Sequence, residues 1–248
     1  MYKEYPPDKR LQHLVETYWV SDGMIHEPVT SLIMPDGCVD IIFDFQNGDK
    51  QGSMPQIVGT MTSALSLTHQ VGKIEMLGIR FHPGGISSFM KNPVNEFTDQ
   101  SFSLSVAESL FEHPFYEYLP ELPTTQQRID YINQYLISKL SYLYLPDKRI
   151  LHAIYYIKQN HGIVSSNSIA QEACLCQRSL ERKFKTIIGI SPKQFSSVTR
   201  FQHAREYLKS RRNEDSHTIL NACGYYDHSH MYKEFQQLGS ISPTDIQL

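Results

Sequence analysis

The chain has 248 residues, a hydrophobic content of 40%, a charged content of 20% and a formal net charge of −3. These values are typical of a soluble globular protein, and the length suffices for one large or two ordinary domains. No apolar run approaches the ~18 residues of a membrane span, and residues 1–10 lack the apolar core of a signal peptide. The four scattered cysteines favour a reduced, cytoplasmic protein. We expect no membrane partner.

Charge is distributed unevenly along the chain. Residues 1–147 carry 9 Lys or Arg and 18 Asp or Glu, whereas residues 148–248 carry 14 and 8. An acidic half joined to a basic half predicts that nucleic acid binds to the basic half only. We place the domain boundary at Pro146, between an N-terminal domain of residues 1–146 and a C-terminal domain of residues 147–248.

The N-terminal domain is predicted to be β-rich to about residue 120. After a short helix at 9–17, brief β-rich segments alternate with glycine, proline and asparagine, which indicates a barrel-like or sandwich-like fold with short helices. Strands are predicted at 17–21, 31–34, 39–45, 57–58, 65–71 and 74–81, with a hairpin turn at Asn47-Gly48. Short helices are predicted at 86–90 and 104–111.

A longer helix is predicted at 125–145, where Ile129, Ile132 and Leu136 lie on one stripe. It either packs on the β-rich domain or pairs with its copy in a dimer. With a helical C-terminal domain, the predicted fold class is α+β.

Polar and aromatic side chains near the strands indicate a ligand site. We predict a small organic ligand between the strand near Trp19, the turn at Asp36 and the strand that ends at Arg80, with Asp40 and His82 nearby. The alternative is that Asp36 only shapes a turn and the others face solvent.

We expect no cofactor and no metal. Cys174 and Cys176 lack metal-ligand spacing, Cys38 has no evident base, and no phosphate-loop, dinucleotide or hydrolase motif occurs.

One pattern occurs twice within residues 168–243. Each copy has a stretch of small and apolar residues, a tight turn and two anchors four residues apart. The anchors are Leu180 and Phe184 in the first copy and Met231 and Phe235 in the second, offset by 51 residues. Because this spacing places both anchors on one helical face, the pattern predicts a duplicated helix-turn-helix.

The segment between the copies, Pro192–Ser210, is predicted to be one linker helix. Ser191 suits the N-cap and Pro192 the first turn. Nineteen residues at ~1.5 Å each span about 28 Å, which approaches the ~34 Å of one DNA turn. Such a helix would hold two recognition helices near successive major grooves.

Many spaced positions of the C-terminal domain follow a familiar order: Gly189-Ile190-Ser191-Pro192-Lys193-Gln194-Phe195, Arg200, Ala204, Leu208, Gly224-Tyr225-x-Asp227-x-Ser229-His230-Met231-x-Lys233-x-Phe235 and Ile241-Ser242-Pro243. In this order they resemble the AraC/XylS family of transcription regulators, over about the last hundred residues. The resemblance implies an all-α domain of two helix-turn-helix units joined by a linker helix.

A second resemblance covers roughly residues 5–110. Tyr18-Trp19, Met34-Pro35-Asp36-Gly37 and Gly78-Ile79-Arg80-Phe81-x-Pro83-Gly84-Gly85 are similar to an uncharacterised domain often found ahead of this DNA-binding unit. It implies a sensory or assembly role.

The family's base-reading positions fall on Arg178, Glu181, Arg182, His228, Ser229, Tyr232 and Lys233. Lys233 stands where the family usually has arginine, and a lysine loses bidentate recognition of guanine. Contacts to the DNA backbone are expected from Gln177, Lys185, Lys193, Arg200, Lys209 and Gln236. Arg200 has a second interpretation, a pair with a carboxylate of its own domain.

The resemblance implies a sequence-specific transcription regulator, either an activator or a repressor. Its expected partners are double-stranded DNA and RNA polymerase, with a small-molecule effector and a second copy of the chain as further candidates. In an alternative function, the N-terminal domain serves only dimerisation or protein contact. An enzyme with this DNA-binding unit, such as an alkylation-repair methyltransferase, would need a four-cysteine zinc site. Because residues 1–147 contain only Cys38, we predict no enzyme.

Overall fold

The computed structural model describes residues 1–45, 55–103, 110–145, 147–211 and 214–247. The N-terminal strands are β1 Tyr2–Tyr5, β2 Val15–Ile25, β3 Val29–Ile33, β4 Val39–Asp44, β5 Gln56–Val58, β6 Leu65–His69, β7 Gly72–Phe81 and β8 Ser101–Ser103. Six of them form one antiparallel sheet in the order β1-β2-β7-β4-β5-β8, and β3 pairs with β6 in a separate ribbon. The helices, α1 to α9 in chain order, are His113–Tyr118, Thr125–Lys139, Lys148–Gln159, Ser166–Glu172, Gln177–Ile188, Pro192–Ser210, Ser216–Cys223, His228–Gly239 and Thr244–Gln247. The α+β class is confirmed.

The six-stranded sheet buries one face against α1 and α2. Val39, Ile41 and Phe43 of β4 are buried at every second position, as the period of a half-buried strand requires. The stripe of α2, Ile129, Ile132 and Leu136, belongs to the same buried cluster. Of the two predicted roles of this helix, the structure therefore shows packing within the N-terminal domain.

Three N-terminal predictions need correction. Residues 9–14 form successive turns rather than a helix to residue 17, since β2 begins at Val15 to pair with β7. The segment 86–90 contains only a 3-10 turn, Ile86–Ser88. Helix α2 ends at Lys139 instead of 145, because the chain turns so that the Tyr144 amide donates to the Ser88 carbonyl at 2.8 Å.

Some elements were not predicted, and two predicted elements fall on residues that the structure does not describe. The sequence did not predict β1, β8 and α1, which have only 4, 3 and 6 residues. Strand β1 also lies at the edge of the sheet and pairs only with β2. The Asn47-Gly48 hairpin and most of the helix at 104–111 lie outside the described residues.

A second buried cluster occupies the C-terminal region and runs from Ile150 to Leu238. Its residues come from α3 to α8, whereas the N-terminal cluster runs from Leu11 to Leu136. In the part of the chain that the structure describes, no helix has the length and apolar content needed to cross a bilayer.

The domain boundary at 146 remains a prediction that a fragment can test. Residues 148–248, expressed alone, are expected to give a helical circular dichroism spectrum and a cooperative melt, since every fully buried residue of the second cluster lies at or after Ile150. A fragment of residues 169–248 is the control: it lacks the buried Ile150, Ala153 and Ile157 of α3 and should melt at a lower temperature. A non-helical spectrum for 148–248 would show that the boundary is misplaced.

Candidate nucleic-acid interface

The first helix-turn-helix consists of α4 and α5. Ser165 begins α4 with a capping box, in which its hydroxyl accepts from the Ser168 amide and the Ser168 hydroxyl accepts from the Ser165 amide. Leu180, Phe184 and Ile188 are buried along α5, so the opposite face of this amphipathic helix is left to solvent.

The second unit, α7 and α8, repeats the arrangement with different caps. The Asp215 carboxylate caps α7, and the Asp227 carboxylate accepts from the His230 amide at 2.7 Å to cap α8. Gly224 adopts φ +69° in the turn, as predicted, and a Cβ there would lie 2.7 Å from Ile163. The equivalent position of the first unit is Cys174, which adopts φ +49° without being glycine.

Helix α6 joins the units through one aromatic contact to each. The ring of Phe195 lies 5.6 Å from Phe184 of α5, and the ring of Phe201 lies 4.9 Å from Phe235 of α8. Helix α6 spans Pro192–Ser210 without a break, as predicted. Both units are thus packed against one continuous helix.

The residues predicted to contact bases are all exposed, on α5 and α8: Arg178, Glu181, Arg182, His228, Ser229, Tyr232 and Lys233. Within the described ranges, no ion pair engages the three cations of this set. By contrast, Lys183 of α5 pairs with Asp147 at 2.9 Å. The outward-facing cations Arg178, Arg182 and Lys233 thus have no carboxylate partner among the described residues.

The predicted backbone contacts divide into two groups. Gln177, Lys185, Lys193 and Gln236 are exposed. Arg200 instead pairs with Glu234 of α8, which favours the second of its two interpretations. Lys209 pairs with Glu206 at 2.7 Å on the surface of α6 and lines a cleft beside the N-terminal domain, and its phosphate contact stays a prediction.

Arg200, Glu234 and Tyr225 form a buried network that sequence reasoning found only in part. The Arg200 Nε donates to Glu234 Oε1 at 3.0 Å, and the Tyr225 hydroxyl donates to the same oxygen at 2.8 Å. Burial, followed by the Glu234 carboxylate, raises the pKa of Tyr225. Glu234 lies three residues after the buried Met231, and this helical spacing was the available signal. The network fixes α8 on α6.

The His230 side chain packs against its own domain instead of facing outward with the recognition residues. Its ring lies 5.3 Å from that of Tyr225, and its Nδ1 accepts from the Tyr226 amide at 3.4 Å. Among the residues that the structure describes, no cluster of His, Cys, Asp or Glu could hold a metal ion.

The predicted ligand residues of the N-terminal domain lie in two places. Trp19 is buried, and its Nε1 donates to Asp40 Oδ1 at 2.7 Å. Arg80 lies between Asp40, at 3.3 Å, and Asp36, at 3.6 Å. Burial disfavours the charged guanidinium, but these carboxylates outweigh it and raise the pKa of Arg80. His82 lies apart, with its Nε2 3.2 Å from the Gln12 carbonyl.

An open cleft of about 1080 Å³ lies between the N-terminal domain and α6. Of the predicted ligand residues, Asp36 and Arg80 line it, whereas Trp19, Asp40 and His82 do not. Sequence reasoning missed the wall formed by α6, which consists of Gln202, Arg205, Glu206 and Lys209. These positions recur at helical spacing, but only the packing of the two domains shows that they face a ligand-sized space.

The buried Trp19–Asp40 contact predicts a fluorescence titration near pH 6. Burial raises the pKa of Asp40 to about 6, against the opposing effects of Arg80 and the Trp19 indole. The folded-state pKa of Asp40 thus lies above the unfolded value of about 3.9. Protonated Asp40 therefore stabilises the fold at low pH, and this contribution is lost as the pH rises through about 6. Trp19 emission, from the only tryptophan, should change over the same interval.

Two variants distinguish Asp40 from His82 as the titrating group. Asp40→Asn should abolish the titration of Trp19 emission, whereas His82→Gln should leave it in place. A wild-type emission that stays flat between pH 4 and pH 8 would contradict the assignment.

The fold and this surface define a class: a two-domain protein with a β-rich N-terminal region and a C-terminal pair of helix-turn-helix units on a shared linker helix. Residues 169–247 match a helix-turn-helix domain family, and residues 3–103 match a domain of unknown function (DUF6597). The first match spans most of α4 and all of α5 to α9, so the C-terminal region is a helix-turn-helix domain.

Two curated relatives match part of the chain. The transcriptional activator RhaS of Escherichia fergusonii is 31% identical over 102 residues, which are 40% of this chain and 36% of RhaS. RhaS of Pectobacterium carotovorum is 31% identical over 84 residues, 34% of this chain and 29% of that protein. The chain thus spans about a third of the length of these relatives.

Solved structures of ToxT from Vibrio cholerae are similar over most of the chain. One has a TM-score of 0.49 at 10% identity and covers 93% of this chain and 97% of ToxT. Another, of ToxT with a bound unsaturated fatty acid, has a TM-score of 0.47 at 9% identity and covers 98% and 96%.

Proposed function

We propose that this protein is a sequence-specific DNA-binding transcription regulator. The observation that carries the proposal is the exposure of all seven candidate base contacts on α5 and α8, the second helices of two units packed on one helix. Arginine, lysine, histidine and serine side chains suit base edges in a major groove. The basic balance of residues 148–248 supplies the attraction to phosphate.

The unbroken α6 supports binding on one side of the duplex. Two units held by a helix of about 28 Å would enter major-groove segments one turn apart, ~10 bp centre to centre. The Arg200–Glu234 pair holds α8 at a set orientation on α6. Both recognition helices would then contact DNA at the same time.

Selection of bound DNA from a random pool tests this function. The expected product is a site with two conserved blocks whose centres lie ~10 bp apart. A selected site with a single block would overturn the two-unit geometry, and a pool without enrichment would overturn sequence-specific binding.

We further propose that the protein activates transcription through contact with RNA polymerase. The RhaS relatives, which are 31% identical over 102 and 84 residues, are transcriptional activators. Transcription in vitro from a promoter carrying the selected site should rise with added protein. A fall in transcript would indicate repression instead.

A small-molecule effector is proposed for the cleft between the N-terminal domain and α6. The Arg205 Nη1 donates to Gln202 at 2.8 Å, while its buried Nε has no hydrogen-bond partner among the described residues. Charged side chains such as Arg80, Arg205 and Glu206 line both walls of the cleft, so a polar effector fits it better than an apolar one. The alternative remains an N-terminal domain that serves only dimerisation or protein contact.

Calorimetry with fractions of a bacterial metabolite extract separates these two roles. Binding heat that is lost in Glu206→Trp, which fills the cleft from its exposed α6 wall, would support an effector. Absence of heat from every fraction, together with a dimer in analytical ultracentrifugation, would support the assembly role.

A further inference from the structure

The N-terminal domain supplies hydrogen bonds to the end of the first recognition helix. The hydroxyl of Thr60 donates to the Ile188 carbonyl at 2.5 Å, and the hydroxyl of Thr98 donates to the Gly189 carbonyl at 2.8 Å. The last four carbonyls of any α-helix lack partners within the helix. Here two consecutive carbonyls at the C-terminus of α5 are satisfied by a different domain.

The contact is close and buried. Thr60 has no exposed surface, so its hydroxyl has no route to water as an alternative partner. Gly189 closes the helix at φ +96°, and a Cβ on it would lie 2.9 Å from the Thr98 hydroxyl and 3.2 Å from that of Thr60. The absence of a side chain is therefore what lets both threonines reach the helix end.

The second recognition helix has no equivalent support. Gly189 and Ser240 both bond their amides inside their own helices, to Lys185 and Gln236, so the difference lies in the partners of the last carbonyls. Within the described ranges, no hydrogen bond joins the N-terminal domain to α8. The two units thus differ in their hydrogen bonds to the N-terminal domain, although their internal packing is alike.

We propose that Thr60 and Thr98 are positioning residues for DNA recognition: the N-terminal domain caps α5 and so orients Arg178 and Arg182. The inference rests on the proposed function, since it assigns α5 to one block of the DNA site. A rotation or fraying of α5 moves these side chains relative to base edges, while α8 keeps its place through Arg200 and Glu234. Loss of the caps must therefore weaken one block and spare the other.

The test combines Thr60→Val with Thr98→Val in the full chain. Affinity is measured on the selected site and on two derivatives, each with one block scrambled. Because a neutral hydrogen bond contributes modestly, we expect about a 3- to 10-fold loss on DNA that keeps only the α5 block. DNA that keeps only the α8 block should bind as tightly as before.

Hydrogen exchange of the free protein gives a second readout that needs no DNA. Amides at the C-terminal end of α5 should exchange faster in the double variant, and those of α8 should not change. Thr62→Val is the matched control, because its hydroxyl lies near Thr60 in sequence but donates to Asp99 at 2.6 Å inside the N-terminal domain. Thr60→Ser with Thr98→Ser retains both hydroxyls and should restore both measurements.

Equal losses on the two blocks would indicate general destabilisation and overturn the positioning role, as would unchanged exchange in α5. If wild-type protein binds no DNA at all, the proposed function fails. The exchange rates alone then decide whether the threonines hold the helix end.

Discussion

Replacing Phe201 with alanine is expected to lower the free energy of unfolding by about 3–5 kcal/mol. The side chain is fully buried on α6, with its ring 4.9 Å from Phe235 and 5.6 Å from the Arg205 guanidinium. Alanine would leave a cavity between α6 and the second unit that the helices, held elsewhere by Phe195 and Arg200, close only in part. Denaturant unfolding followed by helical circular dichroism measures the loss.

Tyr232→Ala is the matched control for this substitution. It removes an aromatic ring from α8 at a site that is 51% exposed, and surface changes usually fall within about ±0.5 kcal/mol. Should the two variants unfold at the same denaturant concentration, the packing of the second unit on α6 would not be what stabilises the domain.

Replacing Arg182 with alanine is expected to reduce specific DNA binding by about 1–3 kcal/mol, the contribution of one good bidentate contact to a base. Arg182 is exposed on α5 and has no ion pair among the described residues, so its guanidinium is available to guanine. The helix itself should persist, because the buried anchors Leu180 and Phe184 remain. Affinities for the selected site and for scrambled DNA, at one salt concentration, measure the effect.

Lys185→Ala provides the comparison on the same helix. Lys185 is exposed one turn nearer the end of α5, and a phosphate contact would weaken all sequences alike and flatten the salt slope by about 0.9. If Arg182→Ala also weakened specific and scrambled DNA equally, Arg182 would contact phosphate rather than a base.

In the proposed mechanism, effector and DNA sites share α6. One face of this helix forms a wall of the cleft, and other positions contact both helix-turn-helix units through Phe195 and Phe201. A ligand changes regulation only if it binds two arrangements with different affinity. A shift of the N-terminal domain across the cleft would act on α6 directly and on α5 through Thr60 and Thr98.

The sequence by itself determined the elements whose signals are local. The limits of α6 follow from Ser191 and Pro192 at its start and from its helical repeat of apolar residues, and they agree with the structure at both ends. The turn at Gly224 and the anchors Leu180, Phe184, Met231 and Phe235 followed from the duplicated pattern. These features need only neighbours along the chain, since capping, turns and amphipathic faces depend on residues within a few positions of each other.

Only the tertiary structure decided what the two halves form together. Trp19 and Asp40 were predicted to contact a ligand, but they form a hydrogen bond with each other in the sheet. The second wall of the cleft is formed by α6, more than 160 residues after Asp36 along the chain. Helix α2 ends early because Tyr144 bonds to Ser88, and α5 ends against Thr60 and Thr98. Each of these outcomes depends on which backbone groups the packed domains bring within hydrogen-bond distance, and no periodicity in the sequence records such pairings.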